Sequence, residues 1–147
     1  MERTLILLKP NALQRRLCGE IISRLERKGL KLVAVKLLMV DRSLASRHYQ
    51  EHEGKPFYEE LLAMITAAPV LALVAEGEQA VAVVRVLCGA TDPGQALPGT
   101  IRGDYGMSIT QNIIHASDSP ASAEREIDLF FSDREIIAYP SAMDPWI

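Results

Sequence analysis

Residues Thr4 to Leu8 read TLILL, an apolar run that indicates a β-strand buried on both faces of a sheet. Lys9-Pro10 ends this run, because the residue before a proline avoids the helical region. Two further strands are predicted over Leu30 to Val40 and over Val70 to Ala75, which reads VLALVA. A short edge strand is predicted over Ile136 to Tyr139. These four segments supply the β half of the fold.

Helices are predicted between and after these strands. Gly19 to Lys28 has its apolar residues on one face, and Gly29 follows as the residue that ends the helix. The other predicted helices cover residues 43–52, the segment from Pro56 to Pro69, residues 79–87, and a final helix that begins at Ser119-Pro120. This order favours an α+β fold over a doubly wound parallel sheet. The ferredoxin-like βαββαβ sandwich, an antiparallel four-stranded sheet with helices packed on it, is the predicted architecture.

The composition is that of one globular domain, predicted to span residues 1–147. Hydrophobic residues make up 48% of the chain and charged residues 24%, so a long disordered tail is not expected. The net charge of −3 and the pI of about 5.6 disfavour a general nucleic-acid binder. A local cluster of Arg and Lys remains compatible with that total.

The cysteine pattern and the hydropathy indicate a cytoplasmic protein. Cys18 and Cys88 are far apart and form no Cys/His metal motif, so two reduced thiols are expected. The first residues have neither the basic start nor the cleavage site of a signal peptide. No apolar run reaches the roughly 18 residues of a membrane span. We therefore expect a protein that works in the cytoplasm without a membrane partner.

Residues 89–119 lack a sustained helix or strand period and hold five of the nine glycines. A long irregular segment inside a compact domain is often a functional loop. It contains neither a P-loop nor a dinucleotide-binding glycine pattern, so any bound phosphate must be met by side chains. The leading candidates are Lys9, Arg85 and Arg102. Considered singly, each is more simply explained as a solvated surface charge.

The three histidines allow more than one interpretation. His115 is either a structural histidine or a nucleophile whose ring is oriented by Ser117, Asp118 or Glu126. His48 and His52 have the i,i+4 spacing of a metal-binding pair. HYQEH is not HExxH, however, and no third ligand is evident, so a solvated helix face is favoured for this pair.

Residues Asn112 to Ser119, NIIHASDS, closely resemble the active-site segment of the nucleoside diphosphate kinases, NxxH(G/A)SDS. Further segments match the same family in the same order: Thr4 to Asn11, Arg15 to Gly29, Tyr49 to Phe57, Gly89 to Pro93 and Pro98 to Asp104. The resemblance covers nearly the whole chain. It implies an enzyme that transfers the γ-phosphate of a nucleoside triphosphate, typically ATP, to a nucleoside diphosphate in a ping-pong cycle.

The resemblance also implies roles for individual residues. His115 would carry the phosphoryl group, with Glu126 on its other ring nitrogen and Ser117 and Tyr49 close by. Phe57 would stack on the base, a contact that every base can make. The residues expected to contact phosphates and ribose are Lys9, Arg85, Thr91, Arg102 and Asn112. Mg²⁺ would arrive with the nucleotide, held mainly by phosphates, and no protein metal site is expected. Family members assemble as tetramers or hexamers, so a homo-oligomer is expected.

Three residues depart from the family pattern. Asn11 stands where Asp is frequent, Ala90 where Glu is common and Ala116 where Gly is common. None of them removes a chemical group from the expected mechanism. Two other interpretations remain open: a catalytically silent scaffold that binds nucleotides or proteins, and a ferredoxin-like regulatory module that binds a small ligand without a reactive histidine.

Overall fold

The computed structural model describes residues 1–147, and its centre is a four-stranded antiparallel sheet. The strands are β1 (Glu2–Leu8), β2 (Lys31–Leu38), β3 (Val70–Gly77) and β4 (Ile114–Ala116). Their order in the sheet is β2-β3-β1-β4, and every neighbouring pair is antiparallel. This is the predicted α+β, ferredoxin-like arrangement.

Seven helices surround the sheet. They are α1 (Pro10–Gln14), α2 (Cys18–Lys28), α3 (Arg42–His48), α4 (Tyr58–Thr66), α5 (Ala80–Cys88), α6 (Ile101–Tyr105) and α7 (Pro120–Phe130). Most predicted boundaries agree within a few residues. The helix predicted over residues 43–52 is shorter, because it ends at His48 and a separate 3-10 turn covers Gln50–His52. The short helices α1 and α6 were not predicted, since five residues are too few to show a period.

Both faces of the sheet are covered, as the TLILL run predicts. Leu5 and Leu7 of β1 belong to a core cluster with residues of α3, α4 and α7. Ile6 and Leu8 point to the opposite face, where they pack with residues of α2, α5 and α6. All four side chains are fully buried. Alternation along β1 thus divides the core into two layers, one on each side of the sheet.

The fourth strand lies elsewhere than predicted. Ile136 to Tyr139 is not a strand, and its only backbone hydrogen bond to β2 joins the Ile137 N–H to the Val33 carbonyl at 2.8 Å. The fourth strand is instead β4, inside the segment that the sequence shows as irregular. Three residues cannot display alternation, so only pairing with β1 reveals this strand.

The ends of two helices follow the sequence signals. The Ser119 hydroxyl accepts a hydrogen bond from the Ser122 N–H, and Pro120 is the first residue of α7. Gly29 ends α2 at a φ of 108°, a conformation that other residues rarely adopt. Both cysteines are free thiols. None of the helices has the length and hydrophobicity needed to cross a membrane.

Candidate active site

His115 lies in the middle of β4, directly opposite Leu7 of β1. Paired residues on neighbouring strands point to the same face, so the imidazole projects toward the layer of α3 and α7. There its Nε2 lies 3.0 and 3.1 Å from the two carboxylate oxygens of Glu126 on α7. The histidine side chain keeps 22% of its surface exposed, whereas Glu126 is buried. The sheet thus presents a partly open imidazole whose inner nitrogen is held by a buried carboxylate.

A hydrogen-bond chain fixes the carboxylate. The buried Ser117 hydroxyl donates to Glu126 Oε1 at 2.7 Å and accepts from the Leu5 N–H at 3.2 Å. Burial raises the pKa of Glu126. Hydrogen bonds from His115 and Ser117, together with the charge of His115, outweigh that effect, so the pKa lies below its usual value. Glu126 is therefore ionised and can only accept. The proton of a neutral His115 ring then lies on Nε2, and Nδ1 keeps the lone pair.

The residue two positions before the histidine has a strained backbone. Ile113 is fully buried and has a φ of +76°, a region that β-branched residues seldom occupy. The Ile114 N–H donates to the Asn112 carbonyl at 2.8 Å, which closes a γ-turn around Ile113. The Lys9 N–H donates to the Ile113 carbonyl at 2.8 Å and holds this turn against the end of β1. Strain of this kind clusters at functional sites. No sequence signal predicts it, since Ile is an unusual residue for a positive φ.

A buried lysine lies at the end of β1. Lys9 Nζ donates to Asn112 Oδ1 at 2.7 Å, and Asn112 Nδ2 donates to the Thr91 carbonyl at 2.9 Å. Lys9 and Asn112 are buried, while Thr91 is exposed. Burial, with a smaller contribution from the charge of Arg102, lowers the pKa of Lys9 to about 7. Lys9 is therefore no solvated surface charge, and an anion placed beside it would restore its proton.

The two arginines differ in environment. Arg102 is buried and donates to three carbonyls, those of Gly89, Asn112 and Ile114. Three of its five N–H groups are thus used to hold the irregular segment against β4. Burial lowers the pKa of Arg102. Arg85 on α5 is exposed and makes one long hydrogen bond of 3.4 Å, to the Ala116 carbonyl. Arg85 is therefore the cation that is free to meet a ligand.

An aromatic row leads away from the histidine. The buried rings of His48 and Tyr49 have centroids 4.6 Å apart, and Tyr49 lies 6.2 Å from His52 by the same measure. His52 in turn lies 5.4 Å from Phe57, which is 44% exposed. Burial and the charge of Glu126 raise the pKa of the Tyr49 hydroxyl, so Tyr49 stays protonated. The row ends in an exposed aromatic face that a flat ligand can cover.

The prediction of a solvated face for His48 and His52 is wrong for His48. His48 is 3% exposed, and its ring meets that of His115 edge-on at a centroid distance of 4.6 Å. The helix turns this residue inward because α3 packs on α7. Burial lowers the pKa of His48 well below its usual value, so the ring is neutral. In the sequence, His48 is paired by its i,i+4 spacing with His52. In the structure, its ring contacts His115 instead.

The three residues that depart from the family pattern lie around this site. The Asn11 amide donates to the Gln111 carbonyl at 2.8 Å, which ties α1 to the irregular segment. Ala90 is exposed, and Ala116 is buried on β4. Asp118, the third candidate partner of His115, is exposed, whereas Glu126 holds the ring. Among the predicted site residues, Glu126 contacts the His115 ring and Ser117 contacts Glu126, while Arg102 and Arg85 donate to the carbonyls of Ile114 and Ala116 on either side of the histidine. Lys9, Asn112 and Thr91 are joined by hydrogen bonds, and Phe57 lies at the outer end of the aromatic row.

Comparisons with known proteins point to the nucleoside diphosphate kinases. The family model for nucleoside diphosphate kinase matches residues 2–136. A nucleoside diphosphate kinase of Archaeoglobus fulgidus is 56% identical over 147 residues, which are 100% of this chain and 97% of that protein. The structure of a halophilic nucleoside diphosphate kinase from Halobacterium salinarum in complex with CDP superposes with a TM-score of 0.97 at 49% identity. The match covers 99% of this chain and 97% of that one.

A second solved structure is a transition-state mimic. It is a nucleoside-diphosphate kinase from Borrelia burgdorferi with bound vanadate and ADP, with a TM-score of 0.92 and 42% identity. The match covers 97% of this chain and 94% of that one. Sequence and structure agree over the full length of the fold. The chain belongs to the nucleoside diphosphate kinase family of phosphotransferases.

Proposed function

We propose that the chain transfers the γ-phosphoryl group of a nucleoside triphosphate to a nucleoside diphosphate through a phosphohistidine at His115. One observation carries the residue assignment: both hydrogen bonds of the His115 ring use Nε2, and they go to an ionised carboxylate. Nδ1 therefore holds the lone pair and is the nucleophile. Residues 1–147 form a single domain in this proposal, because the four strands make one sheet with one core cluster on each face.

The transfer takes place in two half-reactions. In the first, the Nδ1 lone pair forms a bond to the γ-phosphorus, and the bond from that phosphorus to the β,γ-bridging oxygen breaks. The diphosphate leaves with the electron pair of that bond. In the second, a terminal oxygen of another diphosphate attacks the phosphohistidine, and Nδ1 recovers its lone pair. Glu126 stabilises the ring in both steps, because the Nε2 proton points at its carboxylate while the ring gains positive charge.

Positive charge for the phosphates comes from three side chains. Arg85 is exposed and available for a bidentate contact. Arg102 keeps two N–H groups beyond those that hold its three carbonyls. Lys9 becomes fully protonated when a phosphate replaces part of the solvation that burial removed. Asn112 and Thr91 orient this group from the irregular segment, and Tyr49 closes the site beside His48.

The base of the nucleotide stacks on Phe57. This ring is 44% exposed, and Lys55 Nζ lies 5.8 Å from its centroid on one side. A stacking contact accepts every base, because each has a π-face. The H. salinarum relative was solved with CDP and the B. burgdorferi relative with ADP, so a pyrimidine and a purine nucleotide occupy members of this family. We infer broad base specificity for this chain.

Mg²⁺ is the proposed cofactor, and it enters bound to the nucleotide. Mg²⁺ prefers oxygen ligands, whereas the cluster of potential metal ligands in the structure contains two imidazoles and one carboxylate. The residues around His115 therefore fit a metal that is held by phosphate oxygens and water. When bound, Mg²⁺ would neutralise charge on the β- and γ-phosphates.

We also propose a homo-oligomer that works in the cytoplasm. Strand β2 is at the edge of the sheet, and Val35, Leu37 and Met39 expose more than half of their surface there. An exposed apolar edge strand pairs readily with another chain. A second copy of β2 is the partner we expect, within a tetramer or a hexamer. The free thiols Cys18 and Cys88 fit a reducing compartment.

Steady-state kinetics test the activity directly. With ATP as donor and dTDP as acceptor, we expect parallel double-reciprocal lines, the signature of a ping-pong cycle. His115→Asn should abolish the exchange of phosphate and leave the circular dichroism spectrum unchanged. Retention of the full rate by His115→Asn would show that another group carries the phosphate. A folded protein that binds ADP but transfers no phosphate would instead support the silent scaffold.

A further inference from the structure

His48 has no bonded role in the site described above. It is 3% exposed, and neither of its ring nitrogens has a hydrogen-bond partner. Buried polar groups are almost always paired, and each exception needs an explanation. The ring is also held in place, because it packs against Tyr49, His115 and Phe130. A fixed imidazole with two unpaired nitrogens is available to bind a metal ion.

The groups nearest to His48 complete a ligand set. One ligand atom each from His48, His115 and Glu126 lie within 4.8 Å of one another. His48 Nδ1 is 3.9 Å from Glu126 Oε2, and His115 Nε2 is 3.0 Å from Glu126 Oε1. Two imidazoles and a carboxylate are the ligands of open zinc sites, in which water takes the fourth position. The side chain of His115 is 22% exposed, so the ligand set borders solvent on that side.

We propose that His48, His115 and Glu126 form an inhibitory binding site for a transition-metal dication, of which Zn²⁺ is the best chemical match. Imidazole nitrogen suits Zn²⁺, Cu²⁺ and Ni²⁺, whereas Mg²⁺ requires oxygen. Lys9 and Arg125 add positive charge near His48. Mg²⁺ would find only one oxygen ligand in this set, the Glu126 carboxylate, whereas a nitrogen-binding metal gains two imidazoles as well. The site therefore discriminates against the Mg²⁺ that accompanies the nucleotide.

The consequence for catalysis follows from the imidazole proton, and this step rests on the proposed function. In the metal-free site Nε2 carries the proton and Nδ1 the lone pair. A metal at Nε2 uses the lone pair of that nitrogen, so the single proton of the neutral ring moves through solvent to Nδ1. The ring stays neutral and no proton is lost. Nδ1 then has no lone pair to bond to phosphorus, and Glu126 binds the metal instead of the ring proton.

Metal binding is measured first on the full chain without nucleotide, so that this test is independent of kinase activity. Wild-type protein is titrated with Zn²⁺ in a calorimeter and with Co²⁺ while the visible absorption of the ion is recorded. We expect one site with two-imidazole coordination. His48→Phe, which preserves the packed ring, should weaken binding at least tenfold, and His52→Ala should leave it unchanged. His48→Gln serves as the second variant if the circular dichroism of His48→Phe shows misfolding.

The inhibitory effect is measured next, by labelling with γ-labelled ATP in excess Mg²⁺. Zn²⁺ should lower labelling of the wild type, and a chelator should restore it, whereas labelling of His48→Phe should resist the same Zn²⁺ concentration. The proposal is overturned if His48→Phe and His48→Gln bind Zn²⁺ as tightly as the wild type, or if His52→Ala removes the binding. Failure of the wild type to label without Zn²⁺ would overturn the proposed function and the inhibition, while the titrations would still decide the metal site.

Discussion

Glu126 contacts His115 with both carboxylate oxygens, at 3.0 and 3.1 Å from Nε2, and so leaves the lone pair of a neutral ring on Nδ1. The two residues come from different elements, β4 and α7, that meet on one face of the sheet. Ser117, two residues after the histidine, ties the same carboxylate to β1 through the Leu5 N–H. The His115 imidazole is thereby oriented by the core of the fold.

We predict that Glu126→Gln lowers kcat by about 10- to 100-fold, because a hydrogen bond to a charged group contributes about 1.5–3 kcal/mol. The amide retains the size of the carboxylate but no longer stabilises the positive charge that develops on the ring. Steady-state kinetics with saturating ATP and dTDP measure the effect. Ser117→Ala is the matched control and should lose less activity, because it removes only a neutral hydroxyl from the carboxylate. A Glu126→Gln enzyme as fast as the wild type would contradict this role.

Substitution of the two arginines should affect the free energy of unfolding to different extents. Arg102→Lys replaces the planar fork that donates to three carbonyls and should lower the free energy of unfolding by about 1–3 kcal/mol. Arg85→Lys removes one long hydrogen bond at an exposed site and should change the free energy of unfolding by less than about 0.5 kcal/mol. Urea unfolding of both variants tests this. Equal destabilisation would show that Arg102 is no more structural than Arg85.

Nucleotide binding should take up a proton at Lys9. The pKa of this lysine is about 7 in the free protein, and a bound phosphate raises it. At pH 8 the free lysine is mostly neutral and the bound one is charged, so affinity for ADP should fall as the pH rises above 7. Calorimetry of ADP binding at pH 8, in two buffers of different ionisation enthalpy, should report an uptake close to one proton.

Lys9→Gln is the control for this proton uptake. Its side chain does not titrate, so the binding heat should be the same in both buffers after correction for affinity. The ionisation of ADP itself contributes little at pH 8, because the second phosphate pKa is about 6. Uptake that persists in Lys9→Gln would assign the proton to a different group.

Phe57→Ala should weaken the binding of all nucleoside diphosphates alike, by about 1–3 kcal/mol. The expected loss of affinity is the same for every base, because the Phe57 ring makes a stacking contact and no hydrogen bond with the base. Titration with ADP, GDP, CDP and dTDP measures it, and Phe57→Tyr should bind nearly as the wild type. A large loss confined to one base would replace stacking with specific recognition.

The sequence predicts the architecture well where patterns extend over several residues. TLILL predicts a strand covered on both sides, and Ser119-Pro120 predicts the first residues of α7. The fourth strand is missed because three residues of β4 show no alternation, while Ile136 to Tyr139 has strand composition but only one backbone bond to β2. Pairing between distant segments decides such short strands, and no local pattern records it.

The sequence predicts which residues form the candidate site better than it predicts their burial and their contacts. The resemblance of Asn112 to Ser119 names the histidine and its neighbours, but only the structure places Lys9 and Arg102 in the interior. The strained Ile113 and the inward turn of His48 depend on packing between elements. His48 shared an i,i+4 spacing with His52, yet its ring faces His115 from another part of the chain. Spacing along one helix cannot show which distant residue a side chain meets.

The phosphohistidine at His115 is tested most directly by incubating the chain with γ-labelled ATP and Mg²⁺, without an acceptor, and examining the protein for bound label. We expect a phosphoprotein that is stable in base and labile in acid, as a phosphohistidine is, and that passes its label to added GDP. His115→Ala should carry no label. Label on His115→Ala, or label that resists acid, would contradict the assignment of His115 as the residue that carries the phosphate.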